Sequence, residues 1–188
     1  MTMNKRLIIG ISGSSGIIYG VRLLEVLRDL DVETHLVVTK AAQLTRKYET
    51  NLSLQDLKNL TSVYYASQDF TAAIASGSYK TLGMIIAPCS MNTLGEVAHG
   101  ITTNLLSRAA DVVLKERRRL VLMPRETPLH LGHLQNMTQI TQMGGIIFPP
   151  VPAFYTQPQT LTDIVDETVG RVLDLFDLDA KLVRRWGE

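Results

Sequence analysis

Three segments of the chain combine the residue types that chemistry on a small anionic molecule requires. The first, Gly10-Ile-Ser12-Gly13-Ser14-Ser15-Gly16, holds three glycines and three serines in seven positions. Glycines let a backbone approach a ligand closely, and serine hydroxyls beside the free N–H groups of a helix start favour a phosphate or another anion. The second, Pro88-Cys89-Ser90-Met91-Asn92-Thr93, again offers Ser, Asn and Thr at a helix start, where such residues serve as caps as well as ligands. The third, Pro124-Arg125-Glu126-Thr127-Pro128, sets a charged pair between an apolar run and a turn. Upstream, Arg108 and Lys115 stand seven apart, so a helix carries both on one side about two turns from each other. The run Arg117-Arg118-Arg119 reads as a solvated helix face.

Other chemistries fit these residues less well. No Gly-Lys-Ser/Thr follows the first loop, so it is not a Walker loop. A dinucleotide fingerprint needs glycine where Ser12 stands and an acid at the end of the second strand, where Thr39-Lys40 stand instead. A mononucleotide such as FMN suits the loop better. Cys89 has no histidine after it until His99 and reads as a small buried apolar residue rather than a nucleophile. His130 and His133 lie one turn apart without a third ligand in register, so they read as cap or packing residues, and no metal is expected.

Positioning these loops falls to an alternation of short apolar runs and longer helical patterns. Residues 7–11, 34–39, 63–65, 82–87, 120–123 and 145–148 read as strands; 18–30, 41–48, 54–60, 105–115, 134–143 and 161–178 read as helices, with Pro88 ending the fourth strand. Strands that are apolar throughout and joined by crossover helices imply a parallel sheet covered on both faces. The fold expected is α/β, a doubly wound sheet of Rossmann-like or flavodoxin-like type, with residues 1–188 as a single domain and a tail at about 179–188. In such sheets ligands lie beyond the carboxyl ends of the strands, where all three segments fall.

At 188 residues, a chain buries about 70% of the surface its unfolded form exposes, enough for a core without disulfides or structural metals. A balance of 19 basic and 18 acidic residues leaves +1 and offers no basic face for nucleic acid. One cysteine excludes an internal disulfide and fits a reducing compartment. The start of the chain lacks a signal-peptide pattern, and no run approaches the ~18 apolar residues of a membrane helix. A cytoplasmic location, away from membranes, is the expectation.

The motifs named above, with Tyr19-Gly20-Val-Arg-Leu-Leu24 after the first loop, residues 106–117 and Pro149-Pro-Val-Pro-Ala-Phe-Tyr155, together resemble the UbiX flavin prenyltransferase family, formerly described as phenylacrylic or aromatic acid decarboxylases. The resemblance runs from about residue 5 to 178. It implies FMN as cofactor, transfer of a dimethylallyl group from dimethylallyl monophosphate to N5 and C6 of reduced flavin, delivery of the product to a separate UbiD-type decarboxylase, and a large homo-oligomer, expected to be a dodecamer, with the site near subunit contacts. By motif, Gly13, Ser14 and Ser15, Thr39, Ser90, Met91, Asn92, Thr93 and Arg125 are implied in flavin binding. Arg108, Lys115, Tyr155 and Arg171 are implied around the prenyl phosphate, and Trp186 in closing the site. Glu126, Lys115, Ser15 and Glu49 are the implied catalytic set. Asn92 and Thr39 depart from relatives with Lys and Ser there.

The chemistry agrees with this assignment. A phosphate leaving an allylic carbon needs fixed cations and donors, and the carbon needs a π-face. Glu126 would shuttle a proton if partial burial raised its pKa; the other reading makes it a structural ion pair. Three rival functions remain: an FMN-dependent decarboxylase acting directly on a carboxylate, an FMN electron carrier of flavodoxin type, and an FMN-binding subunit of a decarboxylase. The first departs from its relatives by having no histidine between His35 and His99, and the second by lacking an acidic surface.

Overall fold

The computed structural model describes residues 5–187; the stretch 1–4, read above for its lack of a targeting signal, and Glu188 lie outside the described residues. Six strands, β1 (Arg6–Ile11), β2 (Glu33–Val38), β3 (Val63–Tyr65), β4 (Gly83–Cys89), β5 (Arg119–Pro124) and β6 (Ile146–Ile147), form one parallel sheet in the order 3-2-1-4-5-6. The chain winds one way from β1 to β3 and crosses back to β4, so the winding reverses between β1 and β4. That is where a doubly wound sheet opens a crevice for a ligand.

Side-chain alternation divides the interior into two cores. Leu7, Ile9 and Ile11 of β1 point into one with Ile85, Val121 and Met123; Ile8 points into the other with Met84, Ile86, Leu120 and Leu122. The helices α1 (Ile17–Asp29), α2 (Lys40–Glu49), α3 (Leu54–Asn59) and α7 (Leu161–Asp174) cover the first face, and α4 (Met91–Ala98), α5 (Leu105–Lys115) and α6 (Leu131–Gln142) the second. Strands buried on both faces read as continuous apolar runs for this reason.

Three boundaries differ from the sequence expectation by two residues or more. β4 continues through Pro88 to Cys89 because the register shifts between Ile86 and Cys89, so the missing proline N–H interrupts no regular ladder. α6 starts three residues earlier, since His130 Nδ1 accepts from the Gly132 N–H and caps it. α7 stops at Asp174, and the chain then turns back along it. The reading of Arg117-Arg118-Arg119 as a solvated face also changes: Arg118 donates to the carbonyls of Gly77 (2.6 Å) and Tyr79 (2.7 Å) and clamps the loop before β4.

One buried polar group is not accounted for by ligand chemistry. His35, 1% exposed on β2, meets the Tyr65 hydroxyl through Nδ1 (3.0 Å) and the Glu33 carboxylate through Nε2 (3.0 Å). The Tyr79 hydroxyl lies beside the same Nε2 at 3.3 Å. Burial lowers the His35 pKa below its ordinary 6.5 despite Glu33, so the folded state favours the neutral ring. The unfolded chain therefore binds the proton more readily, and the contribution to stability is complete above about pH 6.5 and lost as pH falls through the lower folded value. Urea unfolding between pH 7.5 and 5 is expected to show a falling midpoint, with a shallower fall in His35→Gln. Equal slopes in both proteins would exclude His35 as the cause.

Candidate functional site

The switch-point crevice is bounded by the loops after β1 and β4, and Ser12 joins them. Its side chain is fully buried; the hydroxyl donates to the Pro88 carbonyl (3.0 Å) and accepts from the Ser90 N–H (2.7 Å). The serine that breaks a dinucleotide fingerprint is thus a latch between two loops, a role sequence reading missed. Next to it, a Cβ on Gly13 would stand 2.3 Å from the Ala41 Cβ. Gly13 is also required by the close approach of α2, a packing reason that stands beside its reading as a residue facing a ligand.

Beyond Gly13, the start of α1 contains an anion belonging to the chain itself. Gly16 adopts φ 106° as the helix cap and has no capping side chain of its own. The Glu49 carboxylate, from the end of α2, accepts from the N–H groups of Gly16 (2.9 Å) and Ile17 (3.0 Å). Partial burial pushes the Glu49 carboxyl up, but hydrogen bonds from the Ser15 hydroxyl and these two N–H groups, with the charge of Arg125, outweigh it and hold it below the ordinary carboxylate value. These N–H groups, read from sequence as open to a phosphate, are therefore filled by a carboxylate distant in sequence.

Several hydroxyls of the flavin set are committed to caps. Thr39 accepts from Ala42 N–H to begin α2, and Ser90 accepts from Thr93 N–H (3.2 Å) to begin α4 while its hydroxyl meets Thr93 Oγ1. Asn92 donates to Glu96 on the exposed face of α4, and Met91 packs partly buried against the second core. Ser14 differs: its Oγ is buried with no partner among the described residues. Arg125, exposed at the end of β5, acts electrostatically on Glu49 and on Tyr19. Tyr19, whose ring packs 3.2 Å from the position a Gly16 Cβ would take, was not among the sequence candidates, although the Tyr19-Gly20 motif contains it.

Glu126 follows Arg125 but is exposed, and its carboxylate accepts from the adjacent Thr127 N–H. Neither alternative for it holds within one chain: it is not partly buried, and among the described residues it forms no ion pair. Cys89 is fully buried, with its thiol pushed far up by burial, so it is no nucleophile in this fold.

The remaining charged candidates do not converge within one chain. Arg108, on α5, donates to the Ala75 carbonyl and pairs with Asp111. Lys115 ends α5 next to Glu116, just before β5 begins and therefore at the amino edge of the sheet. The length of β5, about 20 Å, separates that edge from Arg125. Arg171 lies exposed on α7, which covers the opposite face of the sheet from α5. Tyr155 lies in the short turn Phe154–Thr156, and the ring of Trp186 meets it edge-on with centroids 5.4 Å apart. Tail and turn are thereby paired, whereas Arg108, Lys115, Arg125 and Arg171 are not brought together.

Fold and crevice together define an α/β protein built to hold a flavin or nucleotide beyond the β1 and β4 carboxyl ends. The flavoprotein family profile matches residues 1–179. The flavin prenyltransferase UbiX of Escherichia coli K12 is 58% identical over 185 residues, 97% of this chain and 98% of its own length. A crystal structure of AnUbiX (PadA1) in complex with FMN and dimethylallyl pyrophosphate superposes with a TM-score of 0.97 at 46% identity, covering 98% of each chain. A dodecameric FMN-dependent UbiX-like decarboxylase from Escherichia coli O157:H7 gives 0.95 at 48%, covering 97% of this chain and 100% of that one. The chain belongs to the UbiX flavin prenyltransferases. Among the described residues, no helix is long and apolar enough to cross a membrane, and no group of three or more His, Cys, Asp or Glu is placed to hold a metal ion.

Proposed function

We propose that this chain transfers the dimethylallyl group of a dimethylallyl phosphate to reduced FMN, making prenylated FMN for a UbiD-type decarboxylase. The observation that carries this reading is the near-complete likeness to a UbiX structure holding both FMN and a dimethylallyl phosphate ester. Direct decarboxylation rests on the dodecameric neighbour described as an FMN-dependent decarboxylase, whereas relatives 56–58% identical are flavin prenyltransferases; electron carriage and a purely structural role have no comparable support.

The residues present fit the cofactor. Ser14 Oγ is a buried polar atom in need of a partner, and Arg125 is a cation beside the same crevice. They would hold FMN together with the backbone of Gly13 and Ser15, while Thr39, Ser90, Met91, Asn92 and Thr93 shape the surrounding loops. Reduced FMN supplies the nucleophile, which explains a site without a protein thiol or histidine in that role.

For the leaving phosphate the chain supplies Arg108, Lys115, Arg171 and the Tyr155 hydroxyl. Cations fixed before the reaction stabilise charge as it develops without the cost of reorganising water. Because α5 and α7 lie on opposite faces of the sheet, one copy would supply Arg108 and Lys115 and another Tyr155 and Arg171. A dodecamer provides such contacts, and the same contacts would cover Glu126 and give it the partial burial that a proton carrier needs. The Tyr155–Trp186 pair would exclude water from the allylic carbon. We also place the protein in the cytoplasm, as a single domain with a short tail; the lone, buried Cys89 suits a reducing compartment.

The test is anaerobic incubation with reduced FMN and either dimethylallyl monophosphate or diphosphate, followed by mass spectrometry of the flavin. A dimethylallyl adduct is expected with the monophosphate. Unmodified flavin from both donors, with carbon dioxide released from an aromatic acid by this chain alone, would replace the prenyltransferase reading with the decarboxylase one.

A further inference from the structure

After α7 the chain reverses and lies along that helix. Gly170 permits this approach: a Cβ there would meet the Val183 Cγ2 at 2.6 Å and the Leu182 Cβ at 3.2 Å. Two carboxylates of α7 hold the returning strand. Glu167, only 7% exposed, accepts the Arg184 N–H through Oε2 (3.2 Å), and Asp174 binds the Arg185 guanidinium through both oxygens at 3.0 Å each. Trp186, the next residue, lies against Tyr155.

Arg171 stands between these carboxylates, four residues after Glu167 and three before Asp174. Those are the two spacings at which acidic and basic side chains pair on a helix surface. Yet Arg171 forms no ion pair with either: Arg185 holds both oxygens of Asp174, and Glu167 gives Oε2 to the Arg184 N–H while its Oε1 stays buried without a partner among the described residues. A two-pronged guanidinium–carboxylate contact outcompetes a single-pronged one, so a docked Arg185 removes Asp174 as a partner for Arg171.

We propose that the C-terminal tail is a strap, anchored on Glu167 and Asp174, whose Arg185–Asp174 contact keeps Arg171 unpaired for an anionic substrate while the tail sets Trp186 against Tyr155. Glu167, Asp174 and Arg185 are then positioning residues for the phosphate subsite. If the tail is released, Asp174 becomes free to neutralise Arg171, and phosphate affinity and site closure fall together. The inference deepens the prenyl-phosphate assignment of Arg171 and rests on that reading.

Asp174→Asn and Arg185→Ala, in the full-length FMN-loaded protein, test it with two kinds of readout. The first reports the tail alone: the rate of tryptic cleavage after Lys181, and the anisotropy of Trp186, the single tryptophan of the chain. Both variants are expected to be cleaved about tenfold faster and to show lower anisotropy, as loss of a charge-assisted bond implies. The second is kinetic. Arg185→Ala leaves Asp174 free to pair with Arg171 and is expected to raise KM for dimethylallyl monophosphate about tenfold with FMN affinity unchanged. Asp174→Asn also frees the tail but removes the competing carboxylate, so its KM is expected to rise less. Released tails with wild-type KM in both variants would overturn the proposal and leave the prenyltransferase reading standing. A tail still seated in Arg185→Ala would overturn the clasp itself. Absence of prenyl transfer in the wild type, with the tail readouts as expected, would instead count against the substrate assignment and remove the phosphate part of the proposal.

Discussion

Lys115→Ala and Arg171→Ala are each expected to abolish prenyl transfer with FMN still bound, and co-expression of the two variants is expected to restore part of it. Each substitution removes a cation fixed at the leaving phosphate, which typically lowers turnover by about 10²–10³-fold. FMN retention is expected because the groups placed around it, Ser14 and Arg125, lie beyond the β1 and β5 carboxyl ends, whereas Lys115 lies at the amino edge and Arg171 in the last turn of α7, shortly before Phe176 meets Arg119 at that same edge. The restoration follows from geometry. If a site takes Lys115 from one copy and Arg171 from another, random mixing of the two variants leaves about a quarter of sites with both wild-type residues. A site built from one chain would leave none. Turnover in the co-purified hetero-oligomer, measured against each variant alone, decides between these outcomes. Loss of FMN in both variants would show that the two residues belong to the flavin subsite.

Ser12→Ala is expected to weaken the protein and its cofactor binding together. The hydroxyl is fully buried and spans the two loops of the crevice, so its removal leaves the Ser90 N–H without an acceptor; Pro88 keeps only the Ser12 N–H (3.2 Å). An orphaned buried donor costs about 1–3 kcal/mol. In a chain of this size that lowers the melting temperature by several degrees, at about 2–4 °C per kcal/mol. Because Ser90 also caps α4, the loop carrying Asn92 and Thr93 should loosen, and FMN affinity should fall about tenfold in a fluorescence titration, the equivalent of one lost hydrogen bond. Ser12→Thr keeps the hydroxyl and should retain more of both properties. An unchanged melting temperature and FMN affinity in Ser12→Ala would mean that the two loops are held by other contacts.

Much of this architecture was readable in the order of residues. Continuous apolar runs along β1 and β4, helical spacing along α1 and α5, and the caps Thr39 and Ser90 are local features, set by neighbours within a few positions. For that reason the parallel sheet and the three ligand-side loops follow from sequence, with errors confined to ends: Pro88 inside a shifted register, His130 as a cap, and a last helix that stops at Asp174.

The misread residues share a different cause. Glu49 fills the start of α1 across 33 positions, and Ser12 reaches Ser90 across 78. No spacing rule connects such pairs, because the sheet brings them together through space. Lys115 and Arg171 look alike in sequence, each a cation in the last turn of an amphipathic helix. Periodicity reveals which stripe of a helix is buried but not which face of the sheet that helix covers, since the crossovers decide that.

The sequence by itself determined the fold class, the family and the set of polar residues available, because those depend on local pattern and on ordered motifs. The tertiary structure alone decided which of these polar groups are spent on one another and which remain for a ligand. Glu49, Ser90 and Asp174 satisfy N–H groups or a guanidinium of the chain, whereas among the described residues the Ser14 Oγ and the Arg171 guanidinium are left without such partners. A hydrogen bond or ion pair depends on distance and burial, and both are fixed only when the elements pack.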